Sequence, residues 1–504
     1  MITPCLLCVD CGTTVIKATL TDINFRLIDD AHRPVTVYCP FPSASEADMN
    51  QIWQAFCEVT RELAERNPEH WRALAGVGIT GQGDGMWPID ENGEPVYHAL
   101  LWNDTRSKDI DFEAIPGIVE TIRENHTNQI FAGSVCALLT WMKRNRPSEF
   151  SRIRWALHCK DWLNYKLTGR ICTDNSDAST CVYDHVNGRY VPRLLELAGI
   201  GECLEKLPPI VPSIEIIGAV TPEAGSMTMI PEGTKVTEGC VDVCGVAVGS
   251  DVTRPGSSCT IIGTTLCCEI ALTKDQINYN EDRGLLVHHA IPHLYMRVVP
   301  TLSGASTMDY AKGLFFPDES YPSLEKRLEE LPIGSGGLLY HPYICGERAP
   351  IKNPFATAGF FGLTQSHTTL HMMRSVFEGL ACSFYDCYQV FEGGRYRNIY
   401  LSGGASVSPT VCQMFCDMIG LPCRRVDVKE LGTLGMARIL EVALGIQPSF
   451  EAFEDQKATE FIPDMTRHEE YMKVYSLFKE LQDVMGDFWK KRMAIVTSKG
   501  EPEA

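Results

Sequence analysis

Two stretches decide the fold: "VDCGTTVIKATL", residues 9–20, and "IIGTTLCCEIAL", residues 261–272. Each reads as β-branched residues, a Gly-Thr-Thr turn and a second apolar strand. That is a hairpin, with the turn glycine where a positive φ is cheapest. Thr13-Thr14 correspond to Thr264-Thr265, half a chain away, so the repeat opens each half and implies duplication.

Cys5, Cys8 and Cys11 stand three apart, as in part of an iron–sulfur ligand run. Residues 5–11 read as a strand, however, and its side chains at 5 and 8 face opposite ways. Position 15, where a fourth ligand would stand, is Val15. The cysteines are therefore read as small buried apolar residues. Gly12, Thr13 and Thr14 suit a phosphate cradle, offering backbone N–H groups and hydroxyls. Asp10 would hold Mg²⁺, directly or through water, and Lys17 would meet a phosphate. The second copy has Ile261 and Cys268 at the matching places, so one hairpin would carry metal chemistry and the other only bind.

Outward from the hairpins, the pattern alternates strand and helix, which is the α/β class. In the first half residues 28–37 extend as a third strand. "DMNQIWQAFCEVTRELAER" puts Ile52, Phe56, Val59 and Leu63 on one helical face behind an Asp48 N-cap, and "LAGVGIT" is a buried strand. The second half holds a long buried helix (371–391), the strand "NIYLSG" and the helix "PTVCQMFCDMIG". "GSDVTRPGSS" (249–258) marks the boundary. The expected domains are 1–250 and 251–490, with a polar tail over 491–504 ending in "VTSKGEPEA".

The 504 residues carry a formal charge of −19, which argues against nucleic-acid or anionic-membrane partners, since both need a basic face. No apolar run reaches the roughly 20 residues of a membrane span, and the N-terminus has no secretory pattern. Twenty-one scattered cysteines fit reduced thiols, hence a cytoplasmic protein. A homodimer is compatible with the sequence, which fixes no oligomeric state.

There is no G-x-x-x-x-G-K-[ST] run, and Gly81, Gly83 and Gly85 lack the spacing of a dinucleotide fingerprint. Along essentially its whole length the chain instead resembles the FGGY carbohydrate kinases. "AGFFGLTQSHTTLHMMRSVFE" (358–378) resembles their C-terminal signature, and "SGGASVSPTVCQMFCD" (402–417) their adenosine-binding turn. "KELGTLGMA" (429–437) resembles the segment that follows, and "GCVDVCGVAVG" (239–249) the catalytic-base segment. The N-terminal signature departs at Val135 and Leu138, where the family has Pro and Lys.

The resemblance implies a duplicated actin/hexokinase-like (ribonuclease H-like) two-domain fold with a central cleft, using ATP and Mg²⁺. Asp242 would be the general base; it opens a small-residue helix whose dipole would help keep it ionised. A carboxylate is a weak base, but phosphoryl transfer is mostly positioning and charge neutralisation. Gly263, Thr264, Thr265 and Gly304 would lie on the nucleotide side. Gly403, Gly404 and Ser408 would line the adenosine turn, the glycines because a Cβ is excluded there.

On the acceptor side, "TGQGDGMW" (80–87) offers Gln82, Gly83 and Asp84 where pentulose kinases carry a Gln-Met-His-Gly type sequence. Gly83 would enlarge the pocket or admit backbone, and Asp84 would accept from vicinal hydroxyls. Trp102, Asp104 and Arg106 of "LLWNDTRS" match a Trp-x-Asp-x-Arg segment beside the sugar, the alternative being a surface ion pair. "TGQGDG", "ALHCKDWL" and "LLYHPYICGERAP" look closest to erythritol kinases, with L-xylulose kinases sharing part of the pattern. The expected activity is phosphorylation of a primary hydroxyl of a small polyol or ketose, erythritol before L-xylulose, D-xylulose or another pentulose. A non-catalytic nucleotide-binding regulator and a plain nucleotide hydrolase are the readings from other classes. Asp161, after Lys160, is either structural or lines the acceptor site.

Overall fold

The computed structural model describes residues 3–391, 396–428 and 430–497. Two compact units form: Met1–Gly249 with Leu286–Tyr295 and Lys429–Glu454, and Ser250–Leu285 with Met296–Val428 and Asp455–Ala504. Residues 498–504 of the expected tail and Lys429 lie outside the described residues, while 491–497 continue the last helix, Met465–Thr497.

The first unit is built on β1 (Cys5–Cys11), β2 (Val15–Asp22), β3 (Leu27–Pro34), β4 (Leu74–Gly81), β5 (Ile216–Ala219) and β6 (Lys235–Val241), in the order β5-β6-β4-β1-β2-β3. β1 and β2 are the expected antiparallel hairpin, pairing Asp10 with Lys17. β4 runs parallel to β1, and β6 parallel to β4. Helix α1 (Met49–Arg66) begins as its sequence dictates: the Asp48 side chain accepts from the N–H groups of Asn50 and Gln51. Its Ile52, Phe56, Val59 and Leu63 are buried in one core with Leu7, Val9 and Ile79. Each such burial is worth about 1.5–3 kcal/mol against exposure.

That core also contains Cys5 and Cys11 but not Cys8, as the strand alternation requires. None of the 21 cysteines, all among the described residues, forms a disulfide. The only His/Cys/Asp/Glu group with metal-ligand spacing among the described residues is His158, Asp161 and Asp177.

In the second unit β7 (Ser257–Ile262) and β8 (Leu266–Thr273) form the second hairpin. β9 (Asn398–Ser402) adds parallel to β7 and β10 (Cys423–Val426) parallel to β9, with β11 (Ala458–Phe461) antiparallel to β10. Hairpin, two parallel strands and an antiparallel edge is the pattern of the first unit again, so the duplication extends to topology. One detail differs from the ungapped alignment. Ile261 pairs with Cys267, so the cross-strand counterpart of Lys17 is Cys267 rather than Cys268.

A helix from the far end of the sequence, Leu431–Ala443, belongs to the first unit. Its Met436 and Leu440 side chains each come within 3.0 Å of where Cβ atoms on Gly78 and Gly76 of β4 would stand. It also packs closely on the helix Asp242–Gly249. A Cβ at Gly249 would collide with the Leu431 carbonyl, and one at Gly435 with that of Gly245. Glycine is required at this crossing because the two backbones touch. No helix among the described residues is long and apolar enough to cross a membrane.

Candidate active site

Strand β6 delivers Asp242 at its end, as the first residue of the helix Asp242–Gly249. Asp242 Oδ1 accepts from the Val243 N–H at 2.7 Å. The expected effect of the helix dipole is outweighed. Burial, then the charge of Asp10, then those of Asp177 and Asp84, push its carboxyl up to about 8. The shift runs against the helix dipole, which is expected to favour the ionised form.

Asp10 sits at the end of β1, its Oδ2 3.1 Å from the place a Cβ on Gly432 would take. Its Oδ1 is buried with no hydrogen-bond partner. Burial raises the group to about 6, Lys17 lowering it and Glu430 raising it. An orphaned carboxylate oxygen of this kind fits a hard divalent cation. Lys17 Nζ is 2.8 Å from Glu430 Oε2, both side chains about two-fifths exposed, so a phosphate would compete with a weak surface pair.

The turn itself departs from expectation. Neither Gly12 nor Gly263 has a positive φ, and a Cβ would lie 3.2 Å from the Val15 oxygen at Gly12 and 3.7 Å from the Thr265 oxygen at Gly263. Thr14 is exposed. Thr13 is tied to Gln82 and Trp102: its hydroxyl donates to Gln82 Oε1 at 3.2 Å and accepts from Trp102 Nε1 at 3.1 Å.

Gln82, Gly83 and Asp84 follow β4. The Gln82 Nε2 is buried without a partner, and Asp84 takes a φ of 52°, which aspartate tolerates better than most residues. Gly83 does not enlarge a pocket. A Cβ there would collide with Val241 Cγ2 and lie 3.4 Å from Asp177 Oδ1. The space a longer side chain would fill is occupied by Val241.

Asp104 and Arg106 are not a surface pair; both are buried. Asp104 accepts from Arg106 Nε at 2.8 Å and from the Ser45 N–H at 2.8 Å, and Arg106 Nη2 donates to Glu46 at 2.6 Å. The guanidinium lies 4.8 Å from the Trp141 ring centroid. In this network Arg106 Nη1 and Ser45 Oγ are left without a hydrogen-bond partner.

The sequence singles out only the Lys160-Asp161 pair of a charged cluster that the fold assembles around Lys160. Its ammonium, fully buried, lies 2.6 Å from Asp161, 2.9 Å from Glu238 and 3.1 Å from both Asp174 and Asp177. Burial opposes that charge, but the four carboxylates hold it well above the usual lysine range. His158 joins through Asp161 at 3.2 Å. Burial lowers His158, yet the charges of Asp177 and Asp161 carry it to about 9. The ammonium already contacts two of the three groups with metal-ligand spacing, Asp161 and Asp177. The available signal was the adjacent Lys160 and Asp161 and the closely spaced Asp174 and Asp177.

In the second unit the hairpin β7–β8 is braced from the start of the helix Ala305–Phe315. Ala305 N–H donates to the Gly263 carbonyl at 2.8 Å and Ser306 Oγ to that of Thr264 at 2.6 Å. Gly304 lets this happen, because a Cβ there would collide with the Thr265 backbone. Gly403 has a φ of 85°, and its Cβ would stand 2.7 Å from the Ile262 backbone nitrogen. At Gly404 no atom of the chain lies within 4 Å of the Cβ position. Ser408 caps the helix Pro409–Ile419, accepting from the Val411 N–H at 3.1 Å.

These residues can be set beside known proteins. Residues 5–249 match the N-terminal domain, and 279–444 the C-terminal domain, of the FGGY family of carbohydrate kinases. The chain is 28% identical to an L-xylulose/3-keto-L-gulonate kinase of Escherichia coli over 491 residues, covering 94% of this chain and 95% of that one. It is 29% identical to an erythritol kinase of Brucella abortus over 505 residues, covering 96% of each. A crystal structure of a xylulose kinase from Rhodospirillum rubrum superposes with a TM-score of 0.88 at 25% identity, covering 96% of this chain and all of that one.

Proposed function

The chain belongs to the FGGY family of carbohydrate kinases, and on that premise we propose that it phosphorylates a primary hydroxyl of a small polyol or ketose, with erythritol favoured. ATP would bind on the second unit, through Thr264, Thr265, Gly304, Gly403 and Gly404. The acceptor and the base would belong to the first. The observation that carries this reading is Asp242, which opens its helix beside the Gln82–Asp84 loop under the charges of Asp10, Asp84 and Asp177.

Asp242 would take the proton of the attacking hydroxyl. With its carboxyl held up at about 8 it is a stronger base than an ordinary aspartate, once ionised. Asp10 would hold Mg²⁺, directly or through water. Bound there, the cation supplies positive charge that favours ionised carboxylates and offsets charge on the phosphoryl oxygens. Thr13 would keep Gln82 and Trp102 in place rather than touch phosphate. A short acceptor is favoured because Val241 fills the space beside Gly83. The free thiols and net charge of −19 support action in the cytoplasm without a nucleic-acid partner.

The second reading is a pentulose acceptor, favoured by the similarity to L-xylulose and xylulose kinases. ADP release measured across erythritol, L- and D-xylulose, ribulose, xylitol and glycerol separates the two. The highest kcat/KM for erythritol supports the first reading, and the highest for a pentulose supports the second. No acceptor-dependent release with any compound overturns both.

A further inference from the structure

Asp177 lies in the one-turn helix Asn175–Ala178 and is 1% exposed. Its two oxygens have different surroundings. Oδ2 is 3.1 Å from Lys160 Nζ. Oδ1 has no hydrogen-bond partner and is 3.4 Å from the point where a Cβ on Gly83 would stand. The neighbouring Ser176 Oγ accepts from the Val241 N–H at 3.0 Å, fastening this segment to the residue before Asp242.

Buried polar atoms are rarely left without partners, so each orphan calls for an explanation. Beside Gly83 these include Asp177 Oδ1, which accepts, and Gln82 Nε2, which donates. A molecule bearing several hydroxyls supplies both kinds of partner.

The charges narrow the choice further. Asp10, Asp84 and Asp177 all act on Asp242. The cations that flank them in this unit are each engaged: Lys17 with Glu430, Arg106 with Asp104 and Glu46, Lys160 with four carboxylates, and His158 with Asp161. An acceptor carrying its own carboxylate would meet the like charges of Asp84 and Asp177.

Resting on the kinase reading above, we propose that Asp177 is a specificity-determining residue whose Oδ1 accepts a hydrogen bond from an acceptor hydroxyl, and that the site takes neutral polyhydroxy compounds while rejecting sugar acids.

The test is ADP release with matched neutral and acidic acceptors: erythritol and erythronate, xylitol and xylonate, ribitol and ribonate. The neutral member of a pair should exceed its acid by about 100-fold or more in kcat/KM. Asp177→Asn should raise KM for the neutral acceptor by about tenfold, leave KM for ATP within about twofold, and narrow the neutral-to-acid ratio by about tenfold. A merely structural role would not move that ratio. Acids turned over as well as their neutral partners, or an unchanged acceptor KM and ratio in Asp177→Asn, overturn the proposal while leaving the kinase reading intact. Absence of any acceptor-dependent release overturns both. Should the variant not fold, the wild-type pairs decide alone.

Discussion

Val241 stands where a side chain at Gly83 would begin: a Cβ there would overlap Val241 Cγ2 and reach to 3.4 Å from Asp177 Oδ1. The Gln82–Asp84 loop and the strand that leads into Asp242 are therefore shaped to one another. Gly83→Ala should raise the acceptor KM by about tenfold or more through displacement of this loop. Val241→Gly, introduced on top, should return most of that loss. A double-mutant cycle on acceptor kcat/KM measures the coupling. Additive effects would show that the two positions act independently.

The two glycines of the adenosine turn should separate cleanly. Gly403→Ala meets both a positive φ and the Ile262 backbone, so it should cost roughly 1–3 kcal/mol of stability in the second unit. Gly404→Ala meets no atom of the chain. It should leave the unfolding midpoint within about 1 °C while weakening ATP binding by about tenfold in calorimetry, because a Cβ there would block close approach of the nucleotide. Unchanged ATP affinity in Gly404→Ala would remove that position from the nucleotide site.

Lys160 compensates four buried carboxylates, so Lys160→Met should destabilise the chain by about 3–5 kcal/mol at pH 8 in denaturant titrations. The loss should be smaller at pH 5.5. Burial holds Asp177 up at about 7 and Glu238 at about 8, so both take up protons as the pH falls. A carboxyl raised in the folded state contributes stability that is full below its unfolded value of about 4 and is lost as pH rises through the folded value. His158, raised to about 9, acts in the same sense, full below about 6.5 and lost as pH passes 9. The wild-type unfolding midpoint should therefore fall between pH 5.5 and 8.5. A flat or rising midpoint would contradict this account of the cluster.

What was legible in the sequence was local. The Gly-Thr-Thr hairpins, the Asp48 cap and the helix at Thr369–Tyr388 follow from periodicity and turn chemistry within a few residues of chain. Long-range closure was not legible. The Leu431–Ala443 helix reads as part of the second half, yet it packs in the first unit on glycines of β4. Glycines at 245, 249, 432 and 435 carried that information, but only as a pair of helices whose contact no local pattern reveals. The family resemblance points to Asp242 and its helix start to an ionised group, whereas its proton affinity is set by burial and by carboxylates from three other segments. Gly83 reads in the sequence as added space or room for backbone, because its neighbour across the fold, Val241, is far away along the chain.

The central claim is that Asp242 takes the acceptor's proton, and Asp242→Asn tests it most directly. Turnover in acceptor-dependent ADP release should fall by about 10³-fold, with the calorimetric Kd for ATP within about threefold of wild type. Turnover retained within about tenfold of wild type would contradict the account.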